Sequence, residues 1–73
     1  MASMNYFKRL RRMHFLIDHK QTGEPLDFAK RLGISRATMY RNLADLKNFG
    51  AAIQYCYERQ SFFYEEPFVL RFE

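Results

Sequence analysis

The sequence contains little cysteine, glycine or proline, no tryptophan and no long run of apolar residues. Its one cysteine, Cys56, cannot form an internal disulfide and argues against a cysteine-based zinc site. No apolar segment approaches the roughly 20 residues that cross a bilayer, and the N-terminus lacks the apolar core of a signal peptide. We therefore expect a cytoplasmic protein with no membrane segment.

Patterns that carry catalytic chemistry are also missing. There is no glycine-rich phosphate-binding loop, and Cys56 falls within a predicted strand without the histidine and acid that would activate a nucleophile. His14 and His19 are expected to be surface or core-edge residues and not metal ligands. We predict that the chain is not an enzyme and that it needs no metal and no cofactor.

What the sequence does contain is apolar, aromatic and basic residues. Of its 73 residues, 48% are hydrophobic and 18% are aromatic, which suits one small folded domain over residues 1–73. Residues 1–50 carry ten Lys/Arg and four Asp/Glu, a net +6, whereas residues 51–73 carry two and four, a net −2. The basic part favours binding to a polyanion. Because Met4 is a second methionine, residues 1–4 are expected to be tag-derived or disordered.

The spacing of apolar residues predicts three helices, over about residues 5–20, 25–32 and 36–49. In the first helix, one face is formed by Tyr6, Leu10, Met13 and Ile17. In the third helix, Met39, Leu43 and Leu46 recur on one side. The polar segment QTGEP separates the first two helices, with a glycine near the end of the first helix and a proline suited to the first turn of the second.

The second and third predicted helices are separated by a very short turn. Gly33 follows Leu32 and can take the left-handed conformation that ends many helices. Ser35 then suits the N-cap of the third helix, because its hydroxyl can accept from an open backbone amide. Two helices joined in this way form a helix-turn-helix.

After Gly50 the pattern changes to the alternation typical of strands. We predict a hairpin over about residues 52–65, with a loop of about four residues because the polar gap ERQS contains no glycine. Residues 68–73 alternate again and are predicted to form a tail strand or a docked tail. The aromatic residues of this part are Tyr55, Tyr57, Phe62, Phe63, Tyr64, Phe68 and Phe72. Strand alternation predicts aromatics on both hairpin faces, one against the helices and one covered by the tail or by a partner.

Residues 26–53, LDFAKRLGISRATMYRNLADLKNFGAAI, resemble the DNA-binding module of DeoR-type and biotin-repressor-type bacterial transcription regulators. The matching positions are Phe28, Ala29, Leu32, Gly33, Ile34, Ser35, Thr38, Met39, Arg41, Leu43, Leu46, Gly50 and Ile53. The resemblance implies an α+β winged helix, a three-helix helix-turn-helix followed by a β-hairpin wing. It also implies sequence-specific binding of double-stranded DNA, with residues 36–49 in the major groove, by a small bacterial or phage transcription regulator associated with the nucleoid. The chain departs from the family pattern at Tyr40, where such families often carry arginine, and at Asn42, where they often carry an acid. It also departs in the wing, where Arg59 is the one cation.

The residues expected to contact DNA lie mainly on the third helix and beside it. The exposed N-terminal part of that helix faces base edges in such folds, which assigns major-groove contacts to Arg36, Ala37, Thr38, Tyr40 and Arg41. Contacts to phosphates, or contacts from the wing, are assigned to Ser35, Lys30, Arg31 and Arg59. Asp45 is expected on the same exposed side, beyond the groove or paired with Arg41. The basic residues of the first helix, which flank the DNA or form a solvated face, are Lys8, Arg9, Arg11 and Arg12.

A second hypothesis keeps the fold and changes the function. The hairpin is acidic and aromatic, so the domain could act as a protein-interaction module, or as the DNA-binding fragment of a larger regulator, with the hairpin aromatics as a partner or homodimer interface. Dimerisation also fits DNA binding, because paired half-sites raise affinity and specificity.

Overall fold

The structure, a computed structural model, describes the backbone of residues 2–71 and the side chains of residues 6–71. Three helices precede a two-stranded antiparallel hairpin. The elements are α1 (Ala2–Asp18), α2 (Pro25–Leu32), α3 (Arg36–Asn48), β1 (Ile53–Cys56) and β2 (Ser61–Tyr64). This α+β order, with a helix-turn-helix followed by a β-hairpin wing, confirms the fold class predicted from the sequence.

A single apolar core joins the three helices to the hairpin. The side chains in it that are fully buried are Leu10, Met13, Ile17, Phe28, Met39 and Leu46. They come from the predicted apolar faces of the first and third helices and from α2, and β1 and β2 add Ile53 and Phe62. Close packing of these faces fixes the angle at which α3 is held, since most helical stability in proteins comes from tertiary burial.

The bounds of α1 differ from the predicted residues 5–20 at both ends. The helix begins at Ala2 and ends at Asp18, and Met1 lies outside the described residues. Its end is set by Lys20, which takes the left-handed conformation at φ +56°, and the following Gln21 N–H donates to the Leu16 carbonyl over 2.8 Å. This closing pattern usually uses glycine at the left-handed position, so the sequence pointed to Gly23 instead.

The turn between α2 and α3 has the predicted geometry. Gly33 takes φ +72°, a left-handed conformation, and the Ile34 N–H donates to the Ala29 carbonyl over 3.0 Å. Ser35 is the N-cap of α3, and its Oγ accepts from the Thr38 N–H over 3.1 Å. Local hydrogen bonds thus specify how α3 leaves α2, which is why the sequence alone predicts this turn.

The hairpin has the predicted loop length of four residues, but its turn lies one residue earlier than the predicted gap at residues 58–61. Tyr55 pairs with Phe62 and Gln54 with Phe63, and residues 57–60 form the four-residue turn. The Glu65 N–H donates to the Ala52 carbonyl over 2.8 Å, which extends the pairing to the predicted ends of the hairpin. Tyr55 and Phe62 therefore share one face, and Phe63 lies on the other.

A buried hydroxyl pair ties the hairpin to the segment between α1 and α2. Thr22 and Ser61 are almost completely buried, and their hydroxyl oxygens lie 3.1 Å apart. The Thr22 Oγ1 also accepts from the Phe62 N–H over 2.9 Å, and the Ser61 Oγ accepts from the Thr22 N–H over 3.1 Å. These bonds place the connection beside β2, much as a third strand would lie.

The predicted tail strand over residues 68–73 is wrong for the part that the structure describes. Residues 68–71 form no strand, and Phe72 and Glu73 lie outside the described residues. Phe68 instead packs its ring against His14 and Tyr64, with centroid distances of 5.8 and 5.3 Å. Packing of the Phe68 ring on α1 and β2 holds residues 68–71 against the domain. The alternative of a docked tail is therefore confirmed for residues 68–71.

Candidate nucleic-acid interface

The first turns of α3 carry the exposed residues that the sequence assigned to base contacts. Arg36, Ala37 and Arg41 are exposed, and Tyr40 is 49% exposed. On the opposite side Met39 is completely buried, so the packing of α3 directs the predicted group outward. Over its 13 residues α3 is about 20 Å long, a length and width that the major groove admits.

Thr38 is less open than its neighbours. Its side chain is half-buried, and its Oγ1 accepts from the Ser35 hydroxyl over 3.0 Å. The same Ser35 oxygen accepts from the Thr38 N–H, so the two residues cap α3 together. The Thr38 hydroxyl keeps its own proton for an outside acceptor, whereas the exposed Ser35 hydroxyl already donates its proton to Thr38.

Two polar residues of α3 face α1 and not the predicted contact surface. The Arg9 guanidinium donates to Asn42 Oδ1 over 3.1 Å, and Asn42 is 4% exposed. The Tyr6 hydroxyl donates to Asp45 Oδ2 over 2.6 Å and Asp45 is half-buried, so the expectation that it lies on the exposed side of the helix is wrong. Burial, together with the Asp45 carboxylate at its hydroxyl, raises the pKa of Tyr6 to about 12. The helical pattern did not show how far α1 covers this side of α3.

A cationic groove of about 320 Å³ lies beside the turn that precedes α3. It is lined by Lys8, Arg9 and Arg12 of α1 and by Leu32, Gly33 and Ile34 of the turn. The sequence left open whether these basic residues flank the DNA or form a solvated face. The structure brings three of them to the N-terminal side of α3, because α1 crosses the turn there.

A second cationic groove, of about 380 Å³, joins the end of α2 to the hairpin turn. Lys20, Arg31 and Arg59 line it, together with the acid Asp27. The Arg31 guanidinium donates to the Gln21 carbonyl over 2.6 Å. Arg31 was a predicted phosphate contact and Arg59 the predicted contact from the wing, and the structure brings them together. Lys30, the remaining predicted contact on α2, is exposed and does not line this groove.

Lys20 was missed by sequence reasoning. It follows the end of α1 and enters the second cationic groove because the left-handed turn at φ +56° directs the chain there. Nothing in the local pattern marks a lysine for that conformation, since glycine or asparagine is the usual choice.

The predicted partner aromatics of the hairpin are mostly covered by the chain itself. Phe62 is buried, and those that are half-buried are Tyr55, Phe63, Tyr64 and Phe68. Tyr57 alone among these described residues is open, at 84% exposure, and Phe72 lies outside the described part. His14 Nδ1 and the Tyr64 hydroxyl share a hydrogen bond of 2.8 Å, and burial raises the pKa of Tyr64. A homodimer through this surface stays a prediction.

Comparison with protein-family models, with curated proteins and with solved structures returns no match. Within residues 2–71, no helix has the length and apolar character needed to cross a membrane. The same part of the chain holds no group of three His, Cys, Asp or Glu side chains placed to bind a metal ion.

Proposed function

We propose that this chain binds double-stranded DNA in a sequence-specific way, with α3 in the major groove, as a small transcription regulator of the bacterial or phage type. The observation that carries the proposal is the placement of α3. Its buried side is fixed on α1 and α2, and its first turns direct Arg36, Ala37 and Arg41 outward. A helix held in this way presents its N-terminal residues to base edges.

The exposed residues suit the chemistry of base recognition. An arginine guanidinium can donate two parallel hydrogen bonds to guanine O6 and N7, and an alanine methyl can contact the methyl group of thymine. Arg36 and Arg41 supply the first chemistry and Ala37 the second. The hydroxyl of Tyr40 can donate to a phosphate oxygen next to the contacted bases.

The two cationic grooves support contacts to the phosphate backbone. One is adjacent to the turn before α3 and holds Lys8, Arg9 and Arg12. The other holds Lys20, Arg31 and Arg59 between α2 and the wing. Phosphate contacts of this kind fix the register of a protein on the duplex and supply most of its sequence-independent affinity. The wing takes part through Arg59 and not through a basic strand.

Binding to a labelled duplex of mixed sequence, followed by fluorescence anisotropy at several salt concentrations, tests this proposal. Contact with roughly four to six phosphates predicts that log affinity falls linearly with log salt, with a slope of about −4 to −5. Single-stranded DNA of the same sequence should bind more weakly, because it offers no major groove. Absence of duplex binding at about 25 mM salt, where this electrostatic attraction is strongest, would refute the proposal.

A further inference from the structure

A groove of about 430 Å³ lies between the start of α2, the exposed Tyr40 ring of α3 and the hairpin. We call it the aromatic groove, and the side chains that line it are Glu24, Pro25, Tyr40, Tyr55, Tyr57 and Phe62, with Gln60 at the hairpin turn. The proposed DNA contacts use only Tyr40 of these residues. The rest of the groove has no role in that function.

The rings of the groove form walls at steep angles to one another. Tyr55 and Tyr57 have centroids 4.9 Å apart and an angle of 82° between their planes, and Tyr55 meets Phe62 at 5.0 Å and 68°. Edge-to-face contacts of this kind stabilise the arrangement and leave the electron-rich face of a ring open to a guest. Tyr57, 84% exposed, and Tyr40, 49% exposed, offer such surface.

The charge of the groove is negative. Among the side chains that the structure describes, Glu24 is the one charged residue that lines it, and no lysine or arginine does. Burial and the nearby Glu24 carboxylate both raise the pKa of Tyr55. A carboxylate beside aromatic faces attracts a cation and repels a phosphate.

We propose that the aromatic groove binds the guanidinium group of an arginine side chain presented by an extended basic peptide of another protein. The guanidinium is planar, so it can stack on a tyrosine ring while its N–H groups donate to the Glu24 carboxylate. A lysine ammonium makes the charge contact without the stacking and binds less well. This partner site goes beyond the proposed DNA binding, since all of its residues except Tyr40 take no part in the proposed DNA contacts.

The test uses the whole chain and two synthetic peptides, acetyl-Gly-Ser-Arg-Ser-Gly-amide and its analogue with neutral citrulline in place of arginine. Tyrosine ring resonances are followed by NMR during titration. The arginine peptide should shift the rings of Tyr55 and Tyr57 with a dissociation constant on the order of 1 mM, and citrulline should bind at least about threefold more weakly. Glu24→Gln should weaken arginine binding about fivefold, whereas Glu58→Gln, which removes a charge outside the groove, should not.

A second variant, Tyr57→Ala, tests the groove independently if Glu24→Gln impairs folding. Tyr57→Ala changes a side chain that is 84% exposed, so the fold persists while the arginine peptide loses affinity. Equal binding of arginine and citrulline, or equal effects of the Glu24 and Glu58 changes, would overturn the proposal. The proposal would also be overturned if oligothymidylate shifted these ring resonances and the peptide did not, because the groove would then bind nucleobases. Shifts that depend only on protein concentration would overturn it too, because they would assign the groove to contact with a second copy of the chain.

Discussion

Replacing Arg41 with alanine is expected to weaken binding to a selected duplex by about tenfold or more. A bidentate contact between arginine and guanine contributes roughly 1–3 kcal/mol of discrimination, and 1.4 kcal/mol corresponds to a factor of ten. Arg41 is exposed on α3 beside the buried Met39, so its loss removes no core packing. The duplex is first obtained by selecting bound sequences from a random pool, and affinity is then measured by anisotropy at one fixed salt concentration.

Arg71→Ala is the matched control for this measurement. Arg71 is an exposed arginine in the tail, outside α3 and both cationic grooves, and its removal lowers the net charge by the same amount. The sequence-independent attraction to DNA therefore changes about equally in the two variants. Equal losses of affinity for Arg41→Ala and Arg71→Ala would contradict base contact by Arg41 and leave only charge attraction.

Thr22→Val is expected to lower the free energy of unfolding by about 2–3 kcal/mol. Valine matches the shape of threonine, so the change keeps the volume and removes the hydroxyl. The Phe62 N–H then loses its acceptor at 2.9 Å, and Ser61 loses its hydroxyl partner, both in a part of the core that water does not reach. Leaving a buried donor without a partner costs roughly 1–3 kcal/mol. Urea unfolding followed by circular dichroism measures the loss.

Thr22→Ser separates the hydrogen bonds from the packing in this prediction. Serine keeps the hydroxyl and loses one methyl group, which predicts a smaller loss of about 1 kcal/mol. If Thr22→Ser is damaging and Thr22→Val is not, packing of the methyl group holds the connection to β2, and the hydroxyl pair does not. Because this connection anchors the wing, duplex affinity should fall together with stability in Thr22→Val.

The turn between α2 and α3 could be predicted from the sequence because its determinants are local. Gly33 and Ser35 act on backbone groups within a few residues of themselves, and the left-handed turn and the N-cap both appear as expected. The outward direction of Arg41 follows from helical spacing alone. The hairpin loop length was also predictable, since the lack of glycine is a local signal, whereas the position of the turn at residues 57–60 was not.

The features that were missed depend on contacts between distant parts of the chain. Asp45 was assigned to the exposed side of α3, and only the path of α1 shows that Tyr6 reaches it from 39 residues away. Thr22 carries no sign of its pairing with Ser61, again 39 residues distant. Alternation in residues 68–71 suggested a strand, yet Phe68 packs against the rings of His14 in α1 and Tyr64 in β2 instead. Periodicity identifies an apolar face and does not identify what covers it.

The most direct test of DNA binding through α3 is an NMR titration of the isotopically labelled chain with its selected duplex. We expect the largest amide shifts in residues 33–41, smaller shifts at Lys20 and Arg59 beside the second cationic groove, and none of comparable size at Phe68 of the docked tail. Shifts that are largest in the hairpin and absent from residues 36–41 would contradict a recognition role for α3.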